Sequence, residues 1–253
     1  MPRHTMLTVV LLALVAGCGA PQADKAAGGL NAEARLRVAV AAEASGDRDM
    51  AVSMYNAAAV QSPDDARVQL LCAEGLARNG QLTRAMSLLN ARLRADPQQP
   101  DLLQTLGAIQ VMAGYPSQAV QTLTEVLHVH PADVRALTDK AVAFDLLHRH
   151  AEAQALYRQA MGLAPDDAAI RNDYALSLLL SGQPEQAREM LQPFRDTADI
   201  PLRIRTNLGI AAAASGHSGE ADDLLQGHVD SAGIAMLTQA IAQQGGKTGS
   251  GTH

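Results

Sequence analysis

Two histidine pairs have a spacing that could bind a metal ion. They are His128 with His130 and His148 with His150, and one residue separates the members of each pair. Neutral imidazoles are common metal ligands. The helical pattern described below puts the pairs at opposite ends of one helix of about 14 residues, roughly 20 Å apart. We therefore predict no metal site, and we expect these histidines at solvated helix ends, where a protonated imidazole suits a helix C-terminus.

Sequence motifs of catalysis are not found in this chain. It has no glycine-rich phosphate loop, no His-Glu-x-x-His and no nucleophile elbow. Its two cysteines are Cys18 and Cys72, and the sequence shows no histidine partner that would make Cys72 a catalytic thiol. We predict that Cys72 is a small buried apolar residue. We also predict that the protein is not an enzyme and has no cofactor and no small-molecule substrate.

Composition favours helices and argues against nucleic acid as a partner. The 253 residues include no Trp and two Phe, whereas sheets are rich in aromatic and β-branched residues. The formal net charge is −6 and no stretch is densely basic.

The first residues have the features of an export signal. An apolar run at residues 6–16 is shorter than the roughly 20 residues that span a bilayer, and it ends in Val-Ala-Gly followed by Cys18. This stretch resembles the lipobox of bacterial lipoproteins, in which a peptidase cuts before the cysteine and the thiol carries a lipid. The resemblance implies a signal peptide at residues 1–17 and a lipid anchor on Cys18. Because Gly19 rather than Asp follows, it also implies the periplasmic face of the outer membrane. Residues 18–31 would form a flexible tether. The alternative is an ordinary secretory signal with an incidental cysteine.

The rest of the chain repeats every 34 residues. Counted from residues 32, 66, 100, 134, 168 and 202, the twentieth residue of each unit is Ala and the eighth is Ala or Gly. The fifteenth is Gly in every unit but the fourth, which has His148. Prolines close the first four units at Pro63, Pro97, Pro131 and Pro165. Small residues let two helices cross closely, Gly ends a helix at positive φ, and Pro interrupts the next helix. The pattern predicts six helix–turn–helix units.

These positions resemble the tetratricopeptide repeat, a helix–turn–helix unit of 34 residues. The resemblance implies an all-α solenoid of about six repeats over residues 32–229. We expect a capping helix at residues 230–244, with Ile234, Leu237 and Ile241 on one face, because a solenoid must cover its terminal apolar surface. A disordered tail at residues 245–253 would follow.

A concave groove lined by the first helix of each unit is what the resemblance implies for function. In the family, positions 2, 5, 9 and 12 face this groove, and Lys at 5 with Asn at 9 clamps a C-terminal carboxylate, a pair that no unit here contains. The residues that we expect to bind a partner are Leu70, Glu74, Gln104, Thr138, Asn172, Leu176, Leu179, Arg203, Thr206 and Ile210. With Arg67, Arg78 and Arg135 near its rim, the groove suits an amphipathic helix or an extended apolar segment. The alternative is that its apolar residues only pack neighbouring helices together.

A lipobox, a tether and about six such repeats together resemble the TadD group of lipoproteins from the tight-adherence (Flp) pilus assembly machinery. Members carry an Arg-x-Arg-x-Asn-Leu run, matched here by Arg203, Arg205, Asn207 and Leu208. The resemblance implies a pilotin-like accessory role in pilus assembly and secretion, with a secretin or another pilus component as the protein partner. Two rival functions remain open. One is an adaptor for periplasmic cell-wall hydrolases or proteases, and the other is an accessory subunit of polysaccharide export.

Overall fold

The computed structural model describes residues 29–197 and 199–225, together with Met236 and Gln239. The predicted signal peptide, the lipid on Cys18, most of the tether, the capping helix apart from those two residues, and the C-terminal tail lie outside the described residues. No described helix is long and apolar enough to cross a membrane.

The described part of the chain forms twelve α-helices in six consecutive pairs. The first helices of the pairs are α1 Ala32–Ala44, α3 Ala66–Arg78, α5 Pro100–Met112, α7 Val134–Leu146, α9 Ala168–Leu180 and α11 Leu202–Ala214. The second helices are α2 Arg48–Gln61, α4 Leu82–Ala95, α6 Pro116–Val129, α8 His150–Leu163, α10 Pro184–Leu191 and α12 Ser218–Leu225. Each first helix begins at the first residue of its 34-residue unit, which confirms the predicted phase and the all-α fold.

Helix starts follow from the capping residues in the sequence. The side chains of Asp65, Asp133 and Asp167 each accept a hydrogen bond from a backbone N–H in the first turn of the helix that follows, at 2.8–3.3 Å. Asn31 does the same for α1, accepting from the Ala34 nitrogen at 2.8 Å. Caps of this type each stabilise a helix by about 1 kcal/mol.

The turns within the pairs require a left-handed backbone residue. The glycines at position 15 have φ between 75° and 88°, and His148 in the fourth pair has φ 58°. The fourth turn therefore keeps the same geometry without glycine, at a cost in backbone strain that the other five turns avoid.

The core consists of small residues where the paired helices cross, each facing a large one. The alanines at position 20 are at most 2% exposed. The glycines at position 8 are equally constrained, because a Cβ on Gly107 would lie 2.5 Å from the Leu123 side chain. Leu123 occupies position 24, which is fully buried in every pair and holds Tyr55, Leu89, Leu123, Tyr157, Leu191 and Leu225. Cys72 is also buried, as predicted, and burial raises the pKa of its thiol to about 12.

The fifth pair is the irregular one. Helix α10 ends at Leu191 and continues as a 3₁₀ turn at Gln192–Phe194, because Pro193 has no N–H for another α-helical hydrogen bond. This pair has no proline at the position that closes the first four units, and Asp199 stands there instead.

The first helices form the inner side of the array. Each packs against the first helix of the next pair, whereas within residues 29–225 no second helix packs closely on another second helix. Helices on the inside of a curved stack are closer together than those on the outside. The inner surface is therefore built from α1, α3, α5, α7, α9 and α11.

Candidate protein-binding groove

A row of accessible apolar side chains runs along the inner surface. Position 9 contributes Val40 and Leu176, and position 13 contributes Met112 and Leu146. Their exposed fractions are 55%, 41%, 58% and 50%. A depression of about 270 Å³ lies beside this row and is lined only by first helices: Glu74, Ala77, Arg78, Thr105, Ala108, Ile109, Met112 and Arg135. Glu74 and Arg78 interrupt the row at α3. Large exposed apolar groups on one face are typical of a protein-binding site.

The residues predicted to line the groove differ in their accessibility. Leu176 and Arg203 are exposed, and five others are half-buried: Leu70, Glu74, Thr138, Thr206 and Ile210. The other three are buried: the exposed fractions of Leu179, Gln104 and Asn172 are 2%, 6% and 4%. Leu179 lies three residues after Leu176, and that step turns it from the groove into the core. These three side chains therefore do not present an accessible surface to a partner, contrary to the prediction.

Buried amides hold neighbouring first helices together at the floor of the groove. The Gln104 amide nitrogen donates to Asp139 Oδ2 at 2.7 Å, and the Asn207 amide donates to Asn172 Oδ1 at 2.9 Å. Each bond joins position 5 of one pair to position 6 of the next. The Asn172 amide also donates to Asp173 Oδ1 at 3.3 Å. The floor is therefore polar, and the accessible apolar side chains lie beside it.

Two partly buried carboxyl groups on this floor have raised pKa values. Burial raises the pKa of Asp139 to about 6, although Arg135 and Gln104 oppose the shift. Burial also raises the pKa of Asp173, against the opposing effects of Asn172 and Arg203. Both groups therefore hold their negative charge less readily than an aspartate in water.

The predicted rim arginines are exposed and already contact acidic groups. Arg67 pairs with Glu33 at 3.5 Å and Arg78 with Glu43 at 3.1 Å. Arg135 stands 3.9 Å from Asp139. Its side chain is 59% exposed, so the Arg135 pair contributes little to stability.

The sequence predictions missed two contacts between a buried tyrosine hydroxyl and a carboxylate. The Tyr55 hydroxyl donates to Glu43 Oε2 at 2.6 Å, and the Tyr157 hydroxyl lies close to the Asp145 carboxylate. Burial and the neighbouring carboxylate raise the pKa of both tyrosines, that of Tyr55 to about 12. The sequence does carry the signal, because position 12 is acidic only in the two pairs that have Tyr at position 24. These contacts make both tyrosines structural groups.

The histidine pairs do not form a shared site. His128 and His130 end α6, and His148 and His150 flank the turn between α7 and α8. The expectation of solvated ends is wrong for His150, whose Nδ1 lies 2.7 Å from Asp145 Oδ1 in a half-buried contact. Within the described residues, no group of three His, Cys, Asp or Glu side chains could hold a metal ion.

Comparison with known proteins identifies the repeats. Family models described as the tetratricopeptide repeat match residues 36–100, 113–168 and 147–199, which is more than half of the chain. A tetratricopeptide repeat protein from Parabacteroides merdae has 15% identity, covers 86% of each chain and has a TM-score of 0.68. TTC0263, a thermophilic repeat protein of Thermus thermophilus, has 21% identity over 71% of this chain and 98% of its own, with a TM-score of 0.58. At these identities, the two structures are similar in fold alone.

A curated relative is described as the uncharacterized protein y4yS of Sinorhizobium fredii. It is 38% identical over 94 residues, which are 37% of this chain and 52% of the relative. The chain thus spans about half the length of that relative. Tetratricopeptide repeats are generally non-enzymatic scaffolds that bind other proteins. From its family matches, this chain belongs to the tetratricopeptide repeat family, whose repeats generally serve as protein-binding scaffolds.

Proposed function

We propose that this protein is a lipid-anchored scaffold on the periplasmic face of the outer membrane. In this role it acts like a pilotin in tight-adherence pilus assembly and secretion. Its partner is a secretin or another pilus component, and a segment of that partner lies in the groove of the first helices. The observation that carries the proposal is the row of accessible apolar side chains at Val40, Met112, Leu146 and Leu176.

Burial of this row supplies the energy for binding. Apolar surface removed from water contributes about 25 cal/mol per Å². A segment that covers several of these side chains therefore gains several kcal/mol before the cost of ordering it is subtracted. The amide nitrogens of Gln104 and Asn207 add little, because each already donates to a neighbouring first helix.

In the run shared with the TadD group, some residues pack between helices and one is exposed on the surface. Leu208 is buried, and Asn207 bonds to Asn172. Both residues therefore serve the stacking of the repeats. Arg203 is exposed at the edge of the groove, where it is available to a partner. Support for the pilus assignment thus rests on the sequence resemblance and on this one accessible residue.

The anchor is tested by fractionation. Cys18→Ala should leave an uncleaved or soluble form, because the lipid holds the mature chain on the membrane. If this variant still sediments with outer membranes after a salt wash, the anchor proposal fails.

The partner is tested by co-purification from detergent-solubilised envelopes. The wild-type chain should retain secretin or other pilus proteins. The variant Leu146→Gln with Leu176→Gln should lose them, because both side chains are accessible in the groove. The matched control is Val60→Gln with Val129→Gln, which changes two exposed apolar residues of second helices, 75% and 62% exposed. Recovery of cell-wall hydrolases, proteases or polysaccharide export proteins instead would overturn the pilus assignment and leave the scaffold in place.

A further inference from the structure

The groove is most apolar along α7 and α9. Leu146 and Leu176 are accessible there, and Val142 is half-buried at the same helical position as Leu176. The corresponding position of α3 is Glu74, and Arg78 takes the place of Leu146. A bound segment would therefore bury most of its apolar surface against the fourth and fifth pairs.

Acidic side chains accompany this apolar surface. Asp139 stands on α7 and Asp173 on α9, both at position 6, and the Asp139 side chain is 26% exposed. Asp145 lies further along α7 and is engaged by Ser177 and His150. Asp139 and Asp173 are the two carboxylates at the floor near the apolar row.

The cations around these two carboxylates leave their charge incompletely compensated. Arg135 approaches Asp139 only to 3.9 Å, and Arg203 acts on Asp173 from α11. Lys140 is directed elsewhere, with its ammonium 5.8 Å from the centre of the Phe144 ring. The pKa values of both carboxyl groups stay raised despite the two arginines.

A second acceptor next to Asp139 also lacks a donor. The buried Gln104 gives its amide nitrogen to Asp139, and its Oε1 atom has no hydrogen-bond partner in the part of the chain that the structure describes. Buried acceptors without donors are uncommon in folded proteins.

We propose that the groove between α7 and α9 binds an apolar segment that carries a lysine or arginine, with its cation placed against Asp139 and Asp173. This inference rests on the proposed function, because it names the chemistry of the segment held in the same groove. The apolar side chains of the segment cover Leu146 and Leu176, and its single cation supplies the charge that Arg135 and Arg203 do not. The groove thus has the opposite polarity to one that clamps a partner's carboxylate.

Protonation should weaken this recognition. Asp139 is mostly ionised at pH 7.5 and mostly neutral at pH 5, because its pKa is about 6. A cationic segment should therefore bind more weakly as the pH falls, whereas a neutral apolar segment should not respond.

The test is a selection of random 12-residue peptides displayed on phage against the full chain in detergent. The wild-type chain should enrich peptides with one Lys or Arg beside several apolar residues. Asp139→Asn with Asp173→Asn should keep the apolar preference and lose the basic one. The matched control is Asp64→Asn with Asp166→Asn, which removes two exposed charges from the loops between pairs and should behave as wild type.

The affinity of one selected peptide then measures how much its basic residue contributes to binding. Replacing its basic residue with Gln should weaken binding to wild type about five- to tenfold, slightly more than a fully solvent-exposed ion pair contributes. The same replacement should change binding to the Asp139→Asn, Asp173→Asn variant less than about twofold. At pH 5 the affinity of the wild-type chain for the peptide should approach that of the variant.

Four outcomes would overturn the inference, and they separate it from the proposed function. Enriched apolar peptides without a basic residue, or an unchanged basic preference in the Asp139→Asn, Asp173→Asn variant, contradict the cation site and leave the groove intact. Peptides that still bind Leu146→Gln with Leu176→Gln, or no enrichment at all, contradict the groove and with it both proposals.

Discussion

The first and fourth helix pairs contain the same tyrosine–carboxylate contact in two different surroundings. In the first pair, Glu43 also accepts hydrogen bonds from Arg78 at 3.1 Å and from Asn79 at 2.6 Å, both on the second pair. In the fourth pair, Asp145 accepts from Ser177 at 2.7 Å on the fifth pair and contacts His150. One carboxylate thus faces a guanidinium, and the other faces a hydroxyl and an imidazole.

The surroundings reverse the direction of the pKa shift. Partial burial alone would raise the pKa of Glu43, but hydrogen bonds from Arg78, Tyr55 and Asn79 hold it below its usual value. Burial raises the pKa of Asp145, and His150 and Ser177 offset this only in part. The direction of the carboxyl pKa shift therefore depends on which side chains the following pair provides: Arg78 and Asn79 for Glu43, and Ser177 for Asp145. Glu43 is thus compensated by a guanidinium of the second pair, whereas Asp145 has no guanidinium beside it.

The largest expected effect comes from removing the tyrosines. Tyr55→Ala and Tyr157→Ala should each lower the free energy of unfolding by about 3–5 kcal/mol, because a fully buried aromatic ring is lost from the core. Because repeat arrays unfold in parts, hydrogen exchange resolved by repeat is the appropriate measurement. Exchange should rise most in the first two pairs for Tyr55→Ala and in the fourth and fifth for Tyr157→Ala. Equal exchange in all six pairs would contradict the local contacts described above.

Glu43→Gln should destabilise the first two pairs by about 1–2 kcal/mol at pH 7, since it weakens the hydrogen bonds from the half-exposed Arg78 and from the Tyr55 hydroxyl. A carboxyl with a lowered pKa stabilises the fold above its unfolded pKa, and this contribution is lost as the pH falls through the folded pKa. The difference between variant and wild type should therefore shrink below about pH 4. A difference that grows on acidification would refute the assigned role of Arg78.

Asp139→Asn should have the opposite effect on stability from Glu43→Gln. It should stabilise the fourth pair by about 1–2 kcal/mol at pH 7.5. The folded pKa of about 6 lies above the ordinary 3.8, so the stability of the protonated form is present below about pH 4 and is lost as the pH rises through 6. Asn can still accept the Gln104 hydrogen bond. The gain, measured by exchange protection, should vanish near pH 4, and a loss of protection at pH 7.5 would contradict the incomplete compensation of Asp139.

The smallest effect concerns the turn of the fourth pair. His148→Gly should stabilise by roughly 0.5–1 kcal/mol, because glycine adopts φ near 58° without strain. The reciprocal change Gly46→Ala should cost about 1 kcal/mol. Space is not the reason, since no atom lies within 4 Å of the added Cβ. Thermal unfolding of the two variants gives the comparison, and shifts of equal sign would rule out backbone strain as the difference between these turns.

The fold could be predicted from the sequence because its constraints are local and periodic. A small residue at position 8 or 20 and a glycine at position 15 each follow from one crossing or one turn, and they recur in register. The groove was predicted less well, because accessibility depends on helix rotation and on the neighbouring repeat. Leu176 and Leu179 differ by three positions, yet one is accessible and the other is core.

A pattern defined within one repeat also does not predict the contacts between neighbouring repeats. Gln104 with Asp139 and Glu43 with Arg78 are each 35 residues apart, one more than the period. A search for complementary side chains at that separation would have found both bonds and the contrast between Glu43 and Asp145.

The central claim is that a partner protein lies in the groove of the first helices. Photo-crosslinking in cells tests it most directly, with a photoreactive phenylalanine analogue at Leu146 or Leu176 and, as controls, at Val60 or Val129. All four side chains are exposed, so each position tolerates the analogue. The account predicts a crosslinked partner of one defined mass from Leu146 and Leu176 and none from Val60 and Val129. Crosslinks from Val60 or Val129 alone would place the partner on the second helices and contradict the groove as the binding site.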